Sequence, residues 1–150
     1  YPPTLVPIKN RKSPSGPAEL IQTLEEQTDP GRLIEALYLL RNSYPIGWEE
    51  VCSLLTLLTR HQDEMVLAEA LRTLSAAEES FPTHAILSVY HSSRSSRVRA
   101  TAVACLGERP SLLARETIRA HFDFETDPLV LEEIDQWFSD SKDNLKEINK

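Results

Sequence analysis

Apolar residues recur along this chain at helical rather than alternating spacing, and one stretch carries the pattern most cleanly. In 95–107, Val98, Ala102, Cys105 and Leu106 fall at i, i+4, i+7 and i+8, one apolar stripe of a helix that Gly107 is expected to stop. Laying Ala102 over Ala36, Ala70 and Ile134 brings three more stretches into register without a gap. These four helices begin at Asp29-Pro30, Asp63-Glu64, Ser95-Ser96 and Asp127-Pro128, at spacings of 34, 32 and 32 residues. Aspartate or serine at such a place caps a helix, and proline suits its first turn.

Each of the four follows another apolar helical run, so the pattern predicts four helical pairs: 18–27 with 31–42, 48–59 with 63–78, 82–91 with 96–106, and 111–121 with 127–139. The expected stripes of the first helices are Leu20, Ile21 and Leu24; Val51, Leu54, Leu55 and Leu58; Ile86, Leu87 and Tyr90; and Leu112, Leu113 and Ile118. A pair of this size cannot bury its own apolar faces, whereas stacking on neighbours does, so a period of this length predicts a solenoid. The expected fold is therefore an all-α, right-handed α-solenoid of about four antiparallel helical pairs spanning 18–139. Residues 1–17 hold five prolines with Lys9, Arg11 and Lys12 and read as a Pro-rich linker or arm. Residues 140–150 read as a polar C-terminal tail or cap, anchored at most by Leu145 and Ile148.

The second helix of each pair resembles the HEAT-like helical repeats, whose motif places Asp or Pro at the start, then Val-Arg, Ala and Leu. Val98-Arg99, Ala102 and Leu106 carry the closest likeness; Asp127-Pro128 with Val130, and Asp29-Pro30 with Ala36 and Leu40, carry part of it. The family's arginine is replaced by Leu33, Leu67 and Leu131 in the other copies, and its aspartate by Ser95 in the best one. The units are nearer in length to the short bacterial HEAT-like repeats seen in bilin lyases. Tetratricopeptide repeats share the period but not this signature. The resemblance implies an interhelical salt bridge for Arg99, with Asp127 as its expected partner, and second helices that line the concave side.

Composition narrows the function classes. No run approaches the roughly 20 apolar residues of a membrane span. Cys52 and Cys105 each fall in an apolar helical pattern, expected to be small buried hydrophobes in a reducing, cytoplasmic setting. The net charge of −7 is uneven: 18–91 carries −8 and 92–119 carries +4. A mostly acidic surface opposes general binding to nucleic acid.

No phosphate-binding glycine loop, Cys-x-x-Cys pair or zinc-protease His motif is present. The four histidines are read as ordinary surface or helix-end residues, Cys105 as core, and the Glu-Glu pairs as solvated faces; no catalytic residue, metal or cofactor is expected. The arginines from Arg94 to Arg119 are opposed only by Glu108 and Glu116. Arg94 and Arg97 stand at a helix start, where the dipole already favours an anion. Tyr38, Trp48, Phe122 and Phe124 are candidate exposed aromatics, while Trp137 is expected to be a large core residue closing the last pair. The expected function is a non-enzymatic protein–protein interaction scaffold, part of a larger polypeptide, that binds a protein or peptide of acidic character through Arg94, Arg97, Thr101, Phe122 and Phe124. The alternatives are a bilin-lyase-like protein and, more weakly, a nucleic-acid-binding repeat protein.

Overall fold

A computed structural model describes residues 16–78, 81–109 and 111–148, and all regular structure among them is helical. The helices are α1 (Pro17–Glu26), α2 (Pro30–Ser43), α3 (Trp48–Arg60), α4 (Glu64–Ser75), α5 (Phe81–Ser92), α6 (Ser96–Gly107), α7 (Leu112–His121) and α8 (Pro128–Ile148). A single 3-10 turn, Phe122–Phe124, separates the last two. Pro17 stands in the first turn of α1, and residues 1–15 of the expected proline-rich arm lie outside the described residues. No helix among the described residues is long and apolar enough to cross a membrane.

The chain divides into two compact units, residues 1–77 and 78–150. In the first, α1 packs on α2 and α3 on α4, while α1 also packs on α3 and α2 on α4. Leu24, Leu33, Leu37, Leu40, Leu54, Leu57, Leu71 and Leu74 fill its core. Across the α2–α4 seam, Arg41 Nη1 donates to Glu69 Oε2 at 3.1 Å and to the buried Thr73 hydroxyl at 3.3 Å. The Arg60 guanidinium of α3 donates to the carbonyls of Leu24 and Glu25, the last-turn acceptors that α1 cannot satisfy itself.

The second unit repeats this plan in part: α5 packs on α6, α6 on α8 and α5 on α7. Ile86, Tyr90, Val98, Leu106, Ile118, Val130 and Ile134 form its core. At the place equivalent to Arg41 stands Gly107, and at the place of Thr73 stands Trp137. The long-on-small pairing of the first unit is thus replaced by a glycine under an indole, 3.4 Å from where a Cβ would stand. Gly107 is part of α6, and its backbone is not left-handed, so no capping conformation requires this glycine, and a Cβ there would meet Trp137 at ordinary contact distance. Trp137 is only half-buried and stacks on Phe138, which corrects the expectation of a closed core residue.

The same connection opens α2, α4, α6 and α8. Asp29, Asp63, Ser95 and Asp127 each accept, through the side chain, from backbone N–H groups of the helix that follows: Arg32; Met65 and Val66; Val98; and Leu129. Two residues earlier, Gln27, His61, Ser93 and Glu125 each accept from the N–H of the capping residue itself, at 3.0–3.2 Å. The donor that would otherwise be orphaned just outside the helix is satisfied in all four copies.

Several stripe assignments need correction. Cys52 is exposed, because the buried face of α3 is Val51, Ser53, Leu54 and Leu57, and Leu55 and Leu58 are half-buried. Leu112 and Leu113 are exposed, since α7 buries only Ala114 and Ile118. Thr101 is buried at 6% exposure: α6 buries seven of its twelve residues, including Ala100 and Val103, and presents no broad polar face. The last helix does not break at Ser139 but runs on to Ile148.

The loop edge of the second unit as a candidate functional site

The two connections of the second unit, Ser93-Arg94-Ser95 and Glu125-Thr126-Asp127, are drawn together by the chemistry of their own residues. Glu125 is the centre. Its Oε2 accepts from the Asp127 N–H at 3.1 Å, the capping duty just described, and from Arg99 Nη1 at 3.0 Å; its Oε1 takes Arg99 Nη2 and the Tyr90 hydroxyl, the latter at 3.1 Å. Its side chain is 3% exposed. A carboxylate so buried is tolerable because its oxygens receive hydrogen bonds and a formal positive charge.

Arg99 is equally committed. Its Nε donates to the Tyr90 carbonyl at 3.2 Å, near the end of α5, and its guanidinium lies over the Tyr90 ring at 4.9 Å. The partner of Arg99 is therefore Glu125, not the expected Asp127. Asp127 is taken up by capping α8 and by accepting from the Ser96 hydroxyl.

The electrostatics follow from these contacts. Burial by itself would raise the Glu125 pKa, but the Arg99 hydrogen bonds, the Asp127 N–H and the Arg99 charge hold it below the ordinary carboxylate value. The Arg99 pKa is raised, first by its hydrogen bond to Glu125. Burial, then the neighbouring carboxylate, pushes the Tyr90 phenol up. Asp127 is lowered, chiefly by the Ser96 hydroxyl. The network therefore holds Glu125 as a carboxylate and Tyr90 as a neutral phenol at neutral pH.

Beside the network, His91 in the last turn of α5 and His121 at the end of α7 touch: their ring centroids are 4.6 Å apart, and both residues are exposed. The Tyr90 ring stands behind both, at 5.3 and 6.2 Å. Burial, then the His121 and Arg99 charges, lowers the His91 pKa below the ordinary imidazole value. The two rings are two nitrogen ligands at most, and the described residues contain no group of three or more His, Cys, Asp or Glu able to hold a metal.

The edge presents four of the five residues expected to bind a partner. Arg94 is exposed in the first connection and Arg97 in the first turn of α6; Phe122 and Phe124 are 41% and 80% exposed before the second connection, with Leu129 exposed just beyond it. Thr101, buried within α6, does not belong to this surface. The sequence pattern singles out neither Glu125 nor the contact between His91 and His121, two histidines that it presents as ordinary surface or helix-end residues. A signal for Glu125 was present: the residue two places before each cap is a hydrogen-bond acceptor in every copy. The His91–His121 contact joins residues 30 apart in the sequence and had no local signal. No protein-family model, curated protein or solved structure matches the chain.

Proposed function

We propose that this chain is a protein-interaction module of the HEAT-like α-solenoid kind, built from antiparallel helical pairs, and that the loop edge of its second unit is the surface it offers. The four-fold recurrence of the capped connection supports the repeat reading. The observation that carries the function is the state of the edge: Tyr90, Arg99, Glu125 and Asp127 are consumed in fixing the two connections, while Phe122, Phe124 and Arg94 are held beside them in contact with solvent. A rigid frame under exposed aromatic and arginine side chains is the composition of a protein interface and its energetic anchors. The partner is a protein segment that sets apolar side chains on the two phenylalanines and carboxylates against Arg94 and Arg97. The module is not an enzyme, and its two cysteines, Cys52 and Cys105, held as thiols, fit a reducing, cytoplasmic setting.

The test is a comparative pull-down with the wild-type chain and two double variants, Arg94→Glu with Arg97→Glu and Phe122→Ala with Phe124→Ala, each checked for unchanged helical content. Loss of the same partner from both variants supports the edge as the site. Equal recovery by all three proteins removes it.

A further inference from the structure

With the histidines neutral, the stretches that form the loop edge, 91–99 and 121–129, carry balanced charges: Arg94, Arg97 and Arg99 against Asp123, Glu125 and Asp127. Arg99 is engaged on Glu125, and Asp127 on Ser96 and the start of α8. Imidazole is the side chain whose ordinary pKa puts a charge change between about pH 5 and pH 8, and the edge carries two, those of His91 and His121. They stand in ring contact at the ends of α5 and α7, exposed, in the same edge as Arg94, Phe122 and Phe124.

We propose that the edge takes up its acidic partner together with a proton on the His91–His121 pair, so that mild acidification converts a neutral surface into a cationic one and tightens binding. This rests on the reading of the edge as the partner site. Two imidazoles in contact hold one proton more readily than two, since the second charge would sit against the first. The groups facing His91 from the packed elements are Tyr90 on α5, Arg99 on α6 and His121 on α7. Tyr90 is neutral in this range and Arg99 is positive, so the free protein disfavours the proton. The charges acting on His91 are those of His121 and Arg99, with no carboxylate among them. A carboxylate of the partner placed at the edge supplies the missing opposite charge, and by linkage the proton that it favours in turn favours the partner.

The experiment titrates the full chain with a short synthetic peptide of glutamate and leucine residues, followed by calorimetry at about pH 7.5 and about pH 5.5, where the peptide carboxylates remain ionised. Binding about three- to tenfold tighter at the lower pH is expected, the size that an average uptake of about a quarter to half a proton over two pH units gives. The His91→Gln, His121→Gln double variant is expected to bind with one affinity at both values. Equal or weaker wild-type binding at the lower pH, with Arg94→Glu still abolishing it, overturns the proton linkage and leaves the edge as the site. No binding at either pH overturns both.

Discussion

The indole of Trp137 lies over Gly107, its nearest atom 3.4 Å from where a Cβ would stand, so that α8 meets α6 at a place that carries no side chain. Arg41 and Thr73 hold the matching places on α2 and α4, and there the large and small partners are exchanged. One seam geometry is therefore met by two complementary pairs, a hydrogen-bonded one and a packed one. The seam sets how much volume the two places share, and either helix can supply it.

The first prediction follows from that shared volume. Gly107→Ala places its Cβ at ordinary contact distance from Trp137 and is expected to fold with stability within about 1 kcal/mol of wild type. Gly107→Leu overfills the seam, at a cost of about 1–3 kcal/mol. In a Trp48→Phe background the Leu variant should also shift the Trp137 emission to the red. Unchanged emission and an unchanged urea midpoint in that variant would show that the seam is not filled as described.

Glu125 is the group on which the second unit most depends for polar satisfaction. Arg99→Ala leaves its buried carboxylate with the Tyr90 hydroxyl and the Asp127 N–H but no positive charge, and a loss of about 3 kcal/mol is expected in urea unfolding. Glu125→Gln keeps the shape and surrenders the charge, so it should lose less. Because the folded-state pKa of Glu125 is depressed, its stabilisation is complete above the ordinary carboxylate value of about 4.3 and drains as the pH falls through the lower folded value. In Glu125→Gln that part of the acid transition should be missing.

The repeated connection gives a third prediction. Asp63→Ala removes the side-chain acceptor for the Met65 and Val66 N–H groups and should cost about 1 kcal/mol. His61→Ala removes the acceptor for the Asp63 N–H, with an expected loss of about 0.5–1.5 kcal/mol. Hydrogen exchange at the start of α4 should quicken in both. A His61→Ala protein whose α4 amides exchange at the wild-type rate would contradict the role given to this position.

His91 sets the fourth. Its folded-state pKa is lowered, so the folded chain binds fewer protons than the unfolded one near pH 6. The stabilisation is full above the unfolded value of about 6.5 and is lost as the pH falls from there through the folded value. His91→Gln should remove a slope in thermal stability between about pH 7 and pH 5 that the wild type shows. Parallel curves for the two proteins would exclude that coupling.

The sequence by itself determined what is local and periodic. The apolar period placed the helices to within a few residues except at the end of α8, and the caps Asp29, Asp63, Ser95 and Asp127 could be read because each acts on the backbone of its own following turn. Exposure of Phe122 and Phe124 also followed from their place in a connection. Tertiary structure decided what depends on the neighbours of a helix. Thr101 is covered and Leu112 and Leu113 are bare because burial depends on which flanks are packed, and a single helix's periodicity does not report its flanks. Arg99 chose Glu125 over Asp127 because the Ser96 hydroxyl and the α8 amides had already claimed the aspartate. His91 and His121 meet because α5 packs on α7, and that contact between helices that are not successive in the chain exists only once the chain is folded.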